Sequence, residues 1–435
     1  MLTQLKEFFK SIILSGPMLY FASIVAVLVT IFKKAEWGLL LLIVMIPLPN
    51  LWYKLQEYPM GKDFMDIFIF AIFMGIFFQH KRFEKTPNLT LIIIVMLISY
   101  VAVWNSSFRF SLPWPITTEN NLLKDWKNYA EMIFLYFLVL NVIKDEDQQK
   151  KLVVVMSIVV LLIAIKGYRN FYASDVFRYD KRFAGPFEKV GLNANHFGAF
   201  IAYTAAFFLG LALFDKDKRR KILLMMTSLF CIHPLFFSYS RGAYLAAFGT
   251  VTFFGIMKKR TLLILCILLI LAWQTLLPTS VVNRISMTES ESGETEASAA
   301  HRLDLWHHAM DLFKSNPVFG IGFGGFGFTV AEGELTDTHN LYMKMLAEQG
   351  IIGFILLLLI LMKAFLSGWR LFKIGKTPFQ KGLGFGFIGA IIALIIANLF
   401  GDRWSFYALG GYFWVFWGLV DRGLLITQSE AVKAK

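Results

Sequence analysis

Runs of 14 to 26 mostly apolar residues recur from one end of the chain to the other, and that recurrence fixes the fold class before any motif is read. They lie near 12–32, 36–49, 64–79, 88–104, 126–143, 151–171, 194–214, 222–238, 241–257, 261–277, 341–366, 382–400 and 404–421. A bilayer core of roughly 30 Å is spanned by about 20 helical residues. Lipid offers the backbone no hydrogen-bond partner, so a spanning segment of this kind must be helical. The expected fold is therefore all-α, a polytopic membrane protein with about 12–13 transmembrane helices. One large extracytoplasmic insertion containing short helices interrupts the series. The runs near 36–49 and 64–79 are short, and Pro47-Leu48-Pro49 ends the first abruptly.

Composition agrees and removes other classes. With 57% hydrophobic and 17% charged residues and a mean hydropathy of +0.59, the 435-residue chain is not a soluble multidomain protein. The net charge of +13 resides in short Lys/Arg clusters between apolar runs, where it orients helices, so no nucleic-acid partner is indicated. Cys231 and Cys266 sit inside apolar segments without metal-ligand spacing, so neither a disulfide framework nor a zinc site is indicated. Lys6 and Lys10 precede the first apolar run, but Gly16-Pro17 interrupts it and no small-residue cleavage pattern follows. That segment is expected to be retained.

The strongly basic connections 216–221, 258–260 and 370–381 belong on the cytoplasmic side. Alternation then places 278–340 outside, where nine acids face three bases (Arg284, Arg302 and Lys314), a balance of −6. The same count puts 172–193, the tight connection Ser238 to Arg241, and 105–124 outside. Thirteen crossings would leave the N-terminus outside despite Lys6 and Lys10, so one of the first two runs is a candidate re-entrant or interfacial segment. Four units follow: N-terminal transmembrane helices over 1–171, core helices with outer arginine loops over 172–277, the extracytoplasmic loop 278–340, and C-terminal helices over 341–435.

Inside the insertion, Ser286 to Ala300 is poor in apolar residues and is expected to be a mobile loop without chemistry. From His301 the spacing of Arg302, Trp306, Ala309 and Phe313 predicts an amphipathic helix over the outer surface, stopped by Asn316-Pro317. Gly320, Gly322, Gly324, Gly325 and Gly327 follow. They permit tight turns that bring backbone N–H groups to a ligand, as an idle linker would also do.

Arg182, Arg241, Arg302 and His339 all fall on the outer face. An arginine at a membrane boundary is costly unless it meets an anion, and its planar fork suits phosphate oxygens, as on a lipid-borne diphosphate. Each has an ordinary alternative. Arg182 could be a solvated loop residue, Arg241 could snorkel, and Arg302 could pair with Asp304 or Asp311. His301, His307 and His308 read as interfacial polar residues. His339 is the leading catalytic candidate: with Asp337 or Thr338 capping the next helix, it would lie in the first turn, where the macrodipole keeps imidazole neutral. It could equally be a histidine that only caps backbone groups. Glu348 lies nine residues on, on the opposite face of a straight helix, so a His–Glu dyad is not expected, whereas Lys344 and Glu348 could pair. Nucleotide-type phosphate loops, His-Glu-x-x-His zinc sites and nucleophile elbows are absent from the sequence. Trp404, Phe406, Tyr407, Tyr412, Phe413, Trp414 and Trp417 read as scaffold.

The chain resembles the O-antigen ligase and O-antigen polymerase superfamily. The resemblance rests on Arg182-x-x-Gly185-x-Phe187, Asn193-x-Asn195-His196-Phe197-Gly198, Ser240-Arg241-Gly242-Ala243, and Arg302-x-x-x-Trp306-x-x-Ala309 leading to Pro317-x-x-Gly320-x-Gly322. His339-Asn340-x-Tyr342 with Glu348-x-Gly350 completes it, and the first 170 residues match only as a row of hydrophobic helices. The resemblance implies a metal-independent inverting glycosyltransferase with no cofactor. It would move a glycan from undecaprenyl diphosphate to a sugar hydroxyl at the periplasmic face of the bacterial inner membrane. Arg182, Arg241 and Arg302 would hold the diphosphate, and His339 with Arg302 would serve catalysis. A single large insertion leans toward a ligase acting on lipid A core rather than a polymerase of repeat units. A transporter or flippase and a non-catalytic envelope scaffold are the readings from other classes.

Overall fold

The computed structural model describes residues 16–79, 83–173, 182–286, 297–330 and 337–433, and among them the secondary structure is helical without strands. Each of the thirteen apolar runs carries a helix, from Gly16–Phe32 through Tyr407–Lys433. Among the described residues, six helices are long and apolar enough to cross a membrane: Leu89–Arg109, Glu146–Tyr168, Ala194–Ala212, Lys218–Phe237, Leu341–Ile374 and Pro378–Asn398. A seventh arises if Arg260–Leu276 and Thr279–Ser286, bent by 103°, act as one span. Gly16–Phe32 and Ala35–Met45 are shorter apolar helices. The chain is a multi-pass, all-α membrane protein. Most of the expected mobile loop, residues 287–296, lies outside the described residues, as does 174–181 of the outer loop before Arg182.

Ala194–Ala212 and Pro378–Asn398 form the enclosed centre of the bundle. They touch backbone to backbone: a Cβ on Gly386 would stand 2.3 Å from the Phe207 carbonyl oxygen, and one on Gly210 2.5 Å from the Gly386 Cα. Small residues allow this approach where lipid supplies no hydrophobic drive between helices. Aromatic packing fills the space beside it. Phe207 stacks on Phe416 at 3.8 Å, and the buried Trp417 donates its indole N–H to the Ser367 hydroxyl at 3.1 Å. Tyr412, Phe413, Trp414 and Trp417 are buried, as the scaffold reading expects.

The Leu341–Ile374 helix is not straight. It breaks at Gly350, whose backbone sits at φ 63°, ψ −161°, a region open essentially to glycine. The break frees backbone groups that need partners at membrane depth. The glycine-rich segment supplies them: Ile321 N–H donates to the Ala347 carbonyl at 2.9 Å and Gly322 N–H to that of Glu348 at 2.8 Å. Ile351 N–H in turn donates to Pro317 at 2.8 Å. The fit tolerates no side chain, since a Cβ on Gly350 would lie 2.4 Å from the Val318 carbonyl oxygen. The glycines expected to cradle a ligand are therefore largely committed to closing this break.

The amphipathic helix runs from Ala297 to Ser315, beginning before His301 and ending at Asn316-Pro317 as expected. It packs against Leu341–Ile374. Leu305 and Ala309 are buried in a small cluster with Phe326 and Ala347, and the Trp306 indole donates to the Thr338 carbonyl at 2.9 Å. This contact carries Arg302 to the side of the bundle where Arg241 opens its own helix.

Candidate functional site

Arg182 is held before it meets any ligand. Its guanidinium donates to the carbonyls of Ser238 (3.1 Å) and Tyr239 (3.2 Å) and to Asn195 Oδ1 (2.5 Å), so the outer loop is pinned to the short connection before Arg241. Asn195 is itself fixed, because Asn193 caps the Ala194–Ala212 helix and accepts the Asn195 N–H at 2.9 Å. Across that connection, Arg241, Arg284 and Arg302 line a cavity of about 360 Å³ together with Asn195, Tyr239 and Trp306. No acidic residue is among the described lining. Burial first, and then the charges of Arg284, Arg302 and Arg241, push the Arg182 guanidinium down to about 10. Guanidinium groups assembled in this way suit the oxygens of an anion.

The structure brings all four candidates into one neighbourhood. Arg302 acts electrostatically on both Arg182 and His339, and two further arginines join the group. Arg284, from the Thr279–Ser286 helix, lines the cavity. Arg403 lies in the connection between the last two helices, where burial, with Arg302 and Arg182 adding to it, pushes its guanidinium down to about 10. Its head donates to the Asp402 carbonyl at 3.1 Å. Neither was singled out from sequence. The signal was available: Arg403, like Arg241, stands in a short outer connection between apolar runs.

His339 is placed differently from the sequence expectation. Asn340, not Asp337 or Thr338, caps the helix, its side chain accepting the N–H of Tyr342 at 2.9 Å and of Met343 at 3.3 Å. Thr338 is occupied with Asn340, donating its hydroxyl to that residue's carbonyl at 2.8 Å. His339 therefore precedes the cap, with a left-handed backbone (φ 52°), and is not in the first turn. The reason is reach: an Asx side chain caps the N–H groups two and three residues ahead of it, which only Asn340 can do for a helix starting at Leu341. The imidazole is still held below its ordinary range, chiefly by burial, with Arg302, Arg403 and His301 acting in the same direction and Asp337 opposing. Asp337 Oδ2 stands 3.7 Å from Nδ1.

Lys344 does not pair with Glu348. It reaches Asp402 at 2.9 Å, and the fully buried Asp402 also accepts the N–H groups of Trp404 and Ser405, both at 2.9 Å. Burial alone would raise the Asp402 carboxyl. The Lys344 charge and these hydrogen bonds outweigh it and hold the group well below the usual carboxylate range. Glu348, buried, accepts from Gly324 N–H (3.0 Å) and Phe326 N–H (3.3 Å). Two of the N–H groups expected to face a ligand thus face the chain's own carboxylate.

A second cavity, about 500 Å³, opens on the other side of the 399–406 connection. Phe400 lines the arginine cavity, whereas Trp404, Phe406 and Tyr407 line this one. Among the described residues no group of three or more His, Cys, Asp or Glu could hold a metal ion.

Residues 226–358 match a family model described as O-antigen ligase. The matched span contains Arg241, Arg284, Arg302, His339 and the glycine segment that closes the helix break, and leaves out Arg182 and Arg403. No curated protein matches the chain.

Proposed function

We propose, from the match of residues 226–358 to the O-antigen ligase family model, a membrane glycosyltransferase that moves a glycan from undecaprenyl diphosphate to a sugar hydroxyl. The observation that carries this reading is a cavity lined by Arg241, Arg284 and Arg302, with no acid among its described lining, near a histidine held below the ordinary imidazole range, all four residues within the matched segment. Arg182, Arg241, Arg302 and Arg284 receive the diphosphate. As the bond between the anomeric carbon and the phosphate oxygen breaks, negative charge grows on that oxygen, and preorganised guanidinium groups stabilise it more than they stabilise the ground state.

His339 orients or deprotonates the acceptor hydroxyl. Its Nδ1 lies on the Asp337 side, which leaves Nε2 for the hydroxyl proton. The acceptor oxygen forms the new bond to the anomeric carbon as the diphosphate leaves with its electron pair. Direct displacement of this kind inverts the anomeric centre. The activated donor supplies the driving force, so the reaction needs neither nucleotide nor metal.

The favoured assignment is a ligase joining polymer to lipid A core, in the bacterial inner membrane with the site facing the periplasm. The basic connections 216–221, 258–260 and 370–381 support that orientation. Gathering of Arg182, Arg241, Arg302 and His339 in one neighbourhood, in or beside the connections between helices, argues for an enzyme over a transporter, whose substrate-binding charged groups belong near the bilayer midplane. The test is the lipopolysaccharide banding of a deletion strain complemented with wild type, Arg302→Ala or His339→Ala. A ligase predicts loss of all long bands with polymer retained on its carrier; one repeat unit left on lipid A core would indicate the polymerase. Normal banding with either variant at normal protein level would sink the catalytic assignment.

A further inference from the structure

A third cavity, of about 230 Å³, lies among the helices away from both of these. Its walls are Lys218–Phe237 and Arg260–Leu276, and its floor is Ala194–Ala212 with Arg241–Met257, onto which the two walls pack. The space exists because the floor is built from small residues, Ala202, Ala205, Ala206 and Ala247. Leu229, Ile232 and Leu265 at its rim are exposed, so it opens sideways to lipid.

The lining carries no charge, and its hydroxyls are already used. Ser228 donates to the Leu224 carbonyl at 2.9 Å and Thr250 to that of Ala246 at 3.0 Å. A polar ligand would lose its water here without gaining partners, so the cavity calls for hydrocarbon. Its volume falls below the roughly 300–1,000 Å³ of small-molecule sites and suits a chain.

Charge at one end decides which hydrocarbon. Lys218, Lys221, Met225, Leu229 and Ile232 recur every three or four residues, so the two lysines prolong the lining stripe of that wall. On the facing wall Lys259 stands one turn before Leu262, which lines the cavity with Leu265. Lys218, Lys221 and Lys259 are exposed, and among the described residues no ion pair involves them. The acids of the same connection are committed: Asp215 accepts from the Arg220 guanidinium and Asp217 from the Arg220 backbone N–H, both at 2.8 Å.

This basic end is the far one from the arginine cavity. Arg241 opens the Arg241–Met257 helix and Lys258 follows its last turn, roughly 25 Å away. The two cavities also lie on opposite faces of that helix, since Arg241 and Leu245 line one and Ala247 and Val251 the other. A lipid whose head group sits on Arg241 would not run its chain into this slot. We infer that the third cavity binds an anionic phospholipid from the leaflet opposite the arginine cavity, with one acyl chain in the slot and the phosphate head group on Lys218, Lys221 and Lys259. The chain supplies packing to the enclosed Ala194–Ala212 helix where the alanines leave none. The site stands independently of the glycosyltransferase reading.

The full chain in detergent is titrated with dioleoylphosphatidylglycerol and with dioleoylphosphatidylcholine. Native mass spectrometry counts bound lipid, and tryptophan fluorescence follows the melting temperature. Saturable binding of phosphatidylglycerol, at least about tenfold tighter than phosphatidylcholine and with a rise in melting temperature, is expected. Combining Lys218→Gln, Lys221→Gln and Lys259→Gln, all at exposed positions, should bring phosphatidylglycerol down to the phosphatidylcholine level. Ala205→Leu, which fills the slot, should weaken both lipids by about tenfold, and the lysine variant carries the test if this one misfolds. Equal affinity for the two lipids, binding that never saturates, or unaltered phosphatidylglycerol binding in either folded variant would each overturn the inference. Displacement of phosphatidylglycerol by undecaprenyl diphosphate would overturn it too, by assigning the slot to the donor chain.

Discussion

Replacing Asp402 probes the joint between the two cavities. The carboxylate is fully buried, its Lys344 partner keeps 24% of its side chain accessible, and two backbone N–H groups end on the same oxygen. Removing one member of a buried pair costs about 3–5 kcal/mol, and the access left to Lys344 puts this pair near about 3. Each stranded N–H adds about 1 kcal/mol. Asp402→Ala is therefore expected to lose about 5 kcal/mol of stability. Asp402→Asn keeps an acceptor for both N–H groups and is expected to lose about 3. Combining Asp402→Leu with Lys344→Met removes both charges together. It should recover most of the loss, because no uncompensated charge remains, while transfer activity stays low through the disturbed Arg403 and Trp404. Denaturant titration in detergent, read by tryptophan fluorescence, supplies the cycle. Equal costs for Asn and Ala would contradict the accounting for the N–H groups, and additive losses in the double variant would refute the pair itself.

Gly350→Ala forces a side chain into a glycine-only conformation and against the Val318 carbonyl, so it should cost about 3 kcal/mol and abolish activity, as measured by thermal unfolding and banding. Because His339 is held below the ordinary imidazole range, lowering the pH protonates it only below that range. Transfer should persist to lower pH than an unperturbed histidine would allow, and Asp337→Asn, which removes the opposing carboxylate, should shift the acid limb of the pH–rate profile lower still. A limb that moves upward in Asp337→Asn would contradict the electrostatic assignment. Glu348→Ala should destabilise the glycine segment by about 2–3 kcal/mol and Glu348→Gln by less, since the amide oxygen still accepts one N–H; hydrogen exchange at Gly324 and Phe326 reports it.

Hydrophobic run length located a helix at each of the thirteen apolar runs, because lipid leaves the backbone no alternative. The outer-face set Arg182, Arg241, Arg302 and His339 was also legible, since alternation from the cytoplasmic lysine clusters fixes sidedness without knowledge of packing. The break at Gly350 was not. A glycine inside an apolar run is compatible with a straight membrane helix, and only the distant Pro317–Gly322 segment shows that the helix opens there. The cap before Leu341 was misassigned for a related reason: Asp337, Thr338 and Asn340 all cap well, and the choice among them depends on where the helix starts, a matter of one or two residues. Lys344 paired with Asp402, 58 positions away, because its nearer candidate Glu348 was already used by the Gly324 and Phe326 amides. Arg284 was visible only as one base in a charge count, and its place in the cavity depends on the 103° bend that follows Leu276.

The central claim is that the arginine cavity receives a diphosphate. Undecaprenyl diphosphate binding to the nanodisc-embedded chain, measured for wild type and for Arg182→Gln, Arg241→Gln, Arg284→Gln and Arg302→Gln, tests it most directly. Loss of one charge-assisted contact of about 1.5–3 kcal/mol predicts at least about tenfold weaker binding in each variant, with further weakening as salt rises. Wild-type affinity in all four would contradict the assignment of the cavity.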